Sequence, residues 1–138
     1  MKTLHTAYRV SDLERSLAFY RTLGFREIGR VAPGDESLLV MLHLPDDGDV
    51  VTLELVHARA RGAVEMGTGF SRIVVQVDDL AAALAPLVAA GIACGGIERP
   101  GGAAGPAVST LDDPDGYAIE LVQWPPGHPD SMTSADFS

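Results

Sequence analysis

The feature that most constrains this chain is that it repeats itself. Slid along itself by 67 positions, Val10-Ser11-Asp12-Leu13 falls on Val77-Asp78-Asp79-Leu80, Leu17 on Leu84, Tyr20 on Leu87, Gly24 on Gly91 and Phe25 on Ile92. Such self-similarity marks one structural unit used twice. Each copy opens with an alternating run, Leu4, Tyr8 and Val10 in the first and Ile73, Val75 and Val77 in the second, which is the period of a half-buried strand. A helix follows, its apolar positions Leu13, Leu17 and Tyr20 and then Leu80, Leu84 and Leu87 spaced to share one helical face. Ser11 with Glu14 reads as a capping box, and Gly24 and Gly91 stand where a left-handed helix end favours glycine. Pro86 is expected to kink the second helix.

After each helix the strand pattern returns. Phe25 to Val31, Leu38 to Leu44 and Val50 to Val56 serve the first copy, separated at Pro33-Gly34 and Pro45 to Gly48. Ala93 to Glu98, Ala107 to Leu111 and Tyr117 to Gln123 serve the second, separated at Pro100 to Gly105 and Asp112 to Gly116. Both halves therefore read βαβββ, an α+β chain whose two modules, about 1–60 and 69–123, form a curved sheet around a cleft. Residues 124–138 are rich in Pro, Ser and Asp and read as a flexible C-terminal tail or an arm on a partner subunit.

Composition narrows the function. With 138 residues, 46% hydrophobic and 21% charged, the chain is of a size that buries roughly 68–70% of its unfolded surface without a disulfide or structural metal. The single Cys94 cannot form an internal bridge and reads as core. Ten Lys and Arg against 19 Asp and Glu give a net charge of −9, which argues against nucleic acid as a partner. Met1 to Val10 lacks the apolar centre of a signal peptide, and no apolar run reaches the roughly 20 residues a membrane helix needs. A soluble, reducing, cytoplasmic setting is expected, with no membrane contact.

Strand parity selects the candidate site. In Val51 to Leu55 the two leucines share a side, so Glu54 must point to the open face, and Glu120 does the same between Ala118 and Val122. His5, Ala7 and Arg9 share that face in the first strand, and Arg72, Val74 and Gln76 in its repeat. Charges gathered in a concavity need compensation. A divalent cation held by imidazole and carboxylate would supply it, the mixed set suiting nickel, zinc, cobalt, manganese or iron(II) rather than calcium. Exposed sheet-face acids, or an arginine-paired network, are the alternative. His43, His57 and His128 fall on the other side, at strand ends or in the tail, and read as structural or solvated.

The run from Leu4 to Phe25, with its His5, Arg9, Asp12, Tyr20 and Gly24, together with Asp113 to Leu121, resembles glyoxalase I and the vicinal oxygen chelate superfamily, which also holds antibiotic-sequestering, bleomycin-resistance-like proteins and dioxygenases. The resemblance covers residues 1–123 as one domain. It implies paired βαβββ modules, commonly completed between two chains of a homodimer, and a metal ligand on the first and last strand of each. His5, Glu54 and Glu120 match three ligand positions, and Arg72 stands where the family has its second histidine. At an effective dielectric of 20, a doubly charged ion and a guanidinium about 4 Å apart repel by about 8 kcal/mol. Either Arg72 swings aside, leaving His5, Glu54, Glu120 and waters, or its fork bridges the two acids in the ion's place. Arg9 matches a glutathione-contacting arginine; Ala58 falls where the family has an asparagine contact, and the loop Gly101 to Pro106, read as a flexible lid, has no lysine. The implied function is a metal-dependent lyase acting on a 2-oxoaldehyde–thiol adduct or related small molecule, with Glu120 the base, Glu54 its partner, and Arg9, Arg72 and Gln76 binding substrate. The alternative is a metal-free small-molecule binding protein, and a third, ring-cleaving iron oxygenase lacks the usual pair of histidines.

Overall fold

The alternation at the start of the chain becomes a strand, β1 (Thr6–Val10), in a computed structural model that describes residues 1–138. The chain divides into two units, Met1–Phe70 with Asp113–Tyr117, and Ser71–Asp112 with Ala118–Ser138.

In the first unit β1 leads into helix α1 (Leu13–Leu23), then β2 (Arg26–Gly34), β3 (Ser37–His43) and β4 (Leu53–Ala58). The sheet order is β1-β4-β3-β2, with β1 parallel to β4 and the other pairs antiparallel. Leu17 and Tyr20 of α1 are buried with Val10, Val40, Leu42, Leu53 and Leu55 of the sheet. Full burial of one such leucine is worth roughly 1.5–3 kcal/mol, so the stripe read from the sequence is what holds the helix to the sheet. The helix starts differently from expectation. Asp12 is the N-cap, its Oδ1 accepting from the Arg15 amide at 3.0 Å, while Ser11 is drawn off to the Asp115 carboxylate through its amide and hydroxyl. The capping box of Ser11 and Glu14 is therefore replaced by a one-residue shift, because the charged Asp115 is the stronger acceptor for Ser11. Gly24 ends the helix at φ 114°, as its position requires. Leu4 is exposed and precedes β1, and the turn between β2 and β3 falls at Asp35-Glu36, leaving Pro33-Gly34 within the strand end.

The segment Asp113–Tyr117 is built into this first unit. The Tyr117 hydroxyl donates to the Arg9 carbonyl at 2.8 Å, and its ring lies 4.1 Å from that of Tyr8 and 5.2 Å from that of Phe70. Tyr20 donates to the buried Asp113 Oδ2 at 2.8 Å, and the Tyr8 and Tyr20 hydroxyls share a further hydrogen bond. Asp113 Oδ1 accepts from the amides of Asp115 and Tyr117.

The second unit repeats the plan with fewer strands: β5 (Ile73–Gln76), α2 (Leu80–Ala89), β6 (Ala107–Asp112) and β7 (Ala118–Gln123), in sheet order β5-β7-β6. Asp79 caps α2, and the first helical amide, Leu80, donates to Gln123 Oε1 at 2.8 Å. The helix continues past Pro86 to Ala89. The strand expected at Ala93 to Glu98 is reduced to two isolated bridges, Cys94 with Leu111 and Glu98 with Val108. Gly95-Gly96 explains this, since glycine lowers strand stability and has no side chain to pack. A Cβ on Gly95 would come within 3.0 Å of the Thr110 carbonyl, so close approach to β6 is what that glycine permits. The tail is tied back to this unit, and Ser134–Phe137 forms a short 3₁₀ turn.

Candidate functional site

Each unit builds one pair of a basic and an acidic side chain, at the same place in its sheet. In the first unit β1 and β4 run in parallel register with Ala7 opposite Glu54. Leu53 and Leu55 take the buried side, 3% and 0% exposed, so Glu54 is turned to the other face. Two residues before Ala7, the His5 imidazole Nε2 lies 2.6 Å from Glu54 Oε2, with only 19% and 12% of the two side chains exposed. In the second unit β5 and β7 are also parallel, with Val74 opposite Glu120. Ile119 and Leu121 are buried at 1% and 0%, and Glu120 faces away from them. Two residues before Val74, Arg72 Nε lies 3.3 Å from Glu120 Oε1. The repeat seen in the sequence thus places two chemically similar pairs at equivalent register positions.

The expected metal ligands divide between the units: His5 with Glu54 in the first, Glu120 with Arg72 in the second. No three of the His, Cys, Asp and Glu side chains of one chain form a group able to hold a metal ion. The donor chemistry suits one all the same. His5 and Glu54 are a nitrogen and an oxygen donor held around one shared proton, which a divalent cation can replace. Arg72 does not suit one, because it carries charge of the ion's own sign and no lone pair.

The expected substrate-binding groups are more engaged than the sequence suggests. Arg9 donates from Nη1 to the Gly62 carbonyl at 3.0 Å and from Nη2 to that of Ala63 at 2.9 Å, pinning the segment after β4. Gln76 is the hub of the tail: its Oε1 accepts from Trp124 Nε1 and the Ser131 amide, both at 2.9 Å, and its Nε2 donates to Asp130 at 3.1 Å. Trp124 stacks on His128, whose Nε2 meets Asp136 at 2.9 Å. Arg72 is different. Its Nη1 donates to Ser71 Oγ at 3.2 Å, and its side chain is 47% exposed.

Cys94 is half-buried instead of in the core, and burial pushes its thiol pKa up. His43 is held to the Gly48 carbonyl, and His57 lies on the side of β4 away from Glu54, its Nδ1 buried without a partner. A groove of about 680 Å³ in the first unit, lined by Asp12, Glu36, His57 and Arg59 among others, contains none of the expected site residues. Sequence reading missed the Tyr8–Tyr20–Asp113 chain. Burial drives both phenols well above their ordinary pKa range, so both remain protonated donors. Burial also raises the Asp113 carboxyl, against the opposing pull of the Tyr117 amide and the Tyr20 hydroxyl. Tyr20 sits on the inward stripe of α1, and that position is the one signal that would have found it.

The sequence model described as glyoxalase/bleomycin resistance protein/dioxygenase superfamily matches residues 2–121. The chain belongs to this superfamily. Among curated relatives, a lactoylglutathione lyase of Neisseria meningitidis serogroup A is 34% identical over 135 residues, covering 89% of this superfamily member and 91% of the relative. Among solved structures, glyoxalase I of Zea mays matches with a TM-score of 0.78 at 24% identity, over 87% of this chain and 43% of the maize chain. The trypanothione-dependent glyoxalase I of Leishmania major matches with a TM-score of 0.69 at 29% identity, over 89% and 86% of the two chains. These likenesses show the α+β fold of the superfamily, with two sheets and few helices. No helix is long and apolar enough to cross a membrane.

Proposed function

We propose that the protein is a lyase of the glyoxalase I type, which converts the adduct of a 2-oxoaldehyde and a thiol into a 2-hydroxyacyl thioester. One observation carries this reading: two carboxylates, Glu54 and Glu120, stand at equivalent register positions of the two sheets, each with a basic partner two residues before its strand neighbour. The lactoylglutathione lyases of Neisseria meningitidis and Haemophilus influenzae, 34% and 32% identical, support it.

The reaction is an isomerisation, so it needs a group that removes one proton and returns it. Glu120 takes the proton from the carbon that bears sulfur and gives it to the neighbouring carbon, whose oxygen becomes the hydroxyl. The oxygen on the carbon that bears sulfur gives up its proton, which passes to the neighbouring oxygen as the first closes to the thioester carbonyl, so atoms and electrons balance without an oxidant. The negative charge that develops on the oxygens in between needs fixed positive charge nearby. A divalent ion held by His5, Glu54 and Glu120 supplies Lewis-acid polarisation when bound; nickel, zinc, cobalt and manganese suit the donors. His5 orients Glu54 and keeps its carboxylate from turning away, and Arg72 holds Glu120. The two half-sites are completed between two copies of the chain, in a cytoplasmic homodimer, and neither nucleic acid nor membrane takes part.

Elemental analysis of purified protein, combined with a thioester-formation assay on methylglyoxal–thiol adducts, tests the proposal. The expected result is about one divalent ion per pair of half-sites and a turnover that Glu120→Gln lowers by roughly 10² to 10⁴. A folded protein that takes up no ion and turns over no adduct contradicts it. The Arg72–Glu120 pair favours a second reading, a metal-free binding protein of the same superfamily. Calorimetry that shows no heat with any of the four metals, but saturable binding of an organic ligand, selects that reading.

A further inference from the structure

Of the two arginines expected at the site, Arg72 is the under-used one. A guanidinium carries five N–H donors in a planar fork. In this structure Nε approaches Glu120 at 3.3 Å, Nη1 donates to Ser71, and Nη2 has no protein partner. The side chain is 47% exposed on the face that carries Val74 and Glu120, and Val74 beside it is itself 56% exposed. The other arginine of the corresponding face in the first unit, Arg9, has spent both Nη atoms on the carbonyls of Gly62 and Ala63. The face thus offers one free guanidinium edge, next to a carboxylate and an apolar surface.

We infer that Arg72 is a specificity-determining anchor for a substrate carboxylate, so that the protein selects acidic thiols over neutral ones. The inference rests on the proposed lyase reading for the identity of the reaction, and on the geometry of Arg72 for the anion. A planar fork pairs two N–H groups with the two oxygens of a carboxylate. A singly charged carboxylate is the fitting partner, because a phosphate dianion would add charge beside Glu120 with only one guanidinium to offset it. An anion on Arg72 also offsets the repulsion between this arginine and a cation held by the acids.

The test uses three ligands of similar size, (methylthio)acetate, 2-(methylthio)ethanol and 2-(methylthio)ethylamine, with inorganic phosphate as a fourth. Each is titrated by calorimetry into the unaltered protein, Arg72→Gln and Arg72→Lys. The anion is expected to bind at least about tenfold more tightly than the neutral ligand, as charge-assisted hydrogen bonds are worth. Arg72→Gln removes that preference, and Arg72→Lys keeps part of it. With methylglyoxal adducts of thioglycolate and of 2-mercaptoethanol, Arg72→Gln raises KM for the first more than for the second. Equal binding of anion and neutral ligand, a preference that survives in Arg72→Gln, or phosphate binding more tightly than the carboxylate overturns the inference. If no adduct is turned over but the anion preference is present and lost in Arg72→Gln, the lyase reading falls and the anchor stands.

Discussion

At the scale of single residues, two neighbouring facts decide the chemistry: which way Glu54 and Glu120 point, and what stands beside them. Their direction was legible in the sequence, because Leu53, Leu55, Ile119 and Leu121 could only be buried and parity did the rest. Their immediate partners were half legible. Face sharing put His5 on the side of Glu54 but did not name the pair, and the choice of Arg72 between swinging aside and bridging both acids could not be read from spacing; His5 pairs with Glu54 and Arg72 with Glu120 alone. The engagement of Arg9 and Gln76 was not legible, since it depends on the segment at Gly62-Ala63 and on the tail, which carry no periodic signal. Asp113 gives a prediction of its own. Burial raises its folded-state pKa above the ordinary 3.8, so the folded protein binds more protons than the unfolded chain between those two values. Its contribution to stability is therefore largest in acid, declines as pH rises through that window, and is constant above it. The melting temperature of the unaltered protein, measured against that of Asp113→Asn, should fall with rising pH from about 3.8 and then level off. A difference that grows with pH contradicts the burial assigned to this carboxyl.

At the scale of elements, the helices and the central strands follow from apolar spacing, and two of the departures occur where a polar or glycine residue had a competing partner. Ser11 left the cap of α1 for Asp115, and Asp12 took its place. The strand expected at Ala93 to Glu98 was lost because Gly95-Gly96 gives the pattern apolar neighbours but nothing to pack. Gly95 is nonetheless held closely: its amide donates to the Thr110 carbonyl at 2.8 Å, and its own carbonyl accepts from Ser109 Oγ at 2.8 Å. Gly95→Ala would place a Cβ 3.0 Å from the Thr110 backbone oxygen and should destabilise the protein by about 1–3 kcal/mol, as overpacking does. Gly96→Ala, with open space at its Cβ position, should cost little. Denaturant titration of the two variants separates these outcomes, and equal stability would show that the approach to β6 is looser than described.

At the scale of the whole molecule, one sequence repeat corresponds to two sheets that each present a carboxylate and a base, histidine in one copy and arginine in the other. In the proposed reading the site draws its halves from two copies: the His5–Glu54 pair of one and the Arg72–Glu120 pair of the other. The most direct measurement mixes the variants Glu54→Gln and Glu120→Gln, refolded or co-expressed together. If a site joins the first unit of one copy to the second unit of the other, each variant alone is nearly inactive, while each mixed dimer holds one site free of both substitutions. With random pairing, the mixture should recover about a quarter of the unaltered turnover. A mixture no more active than either variant alone would contradict the account.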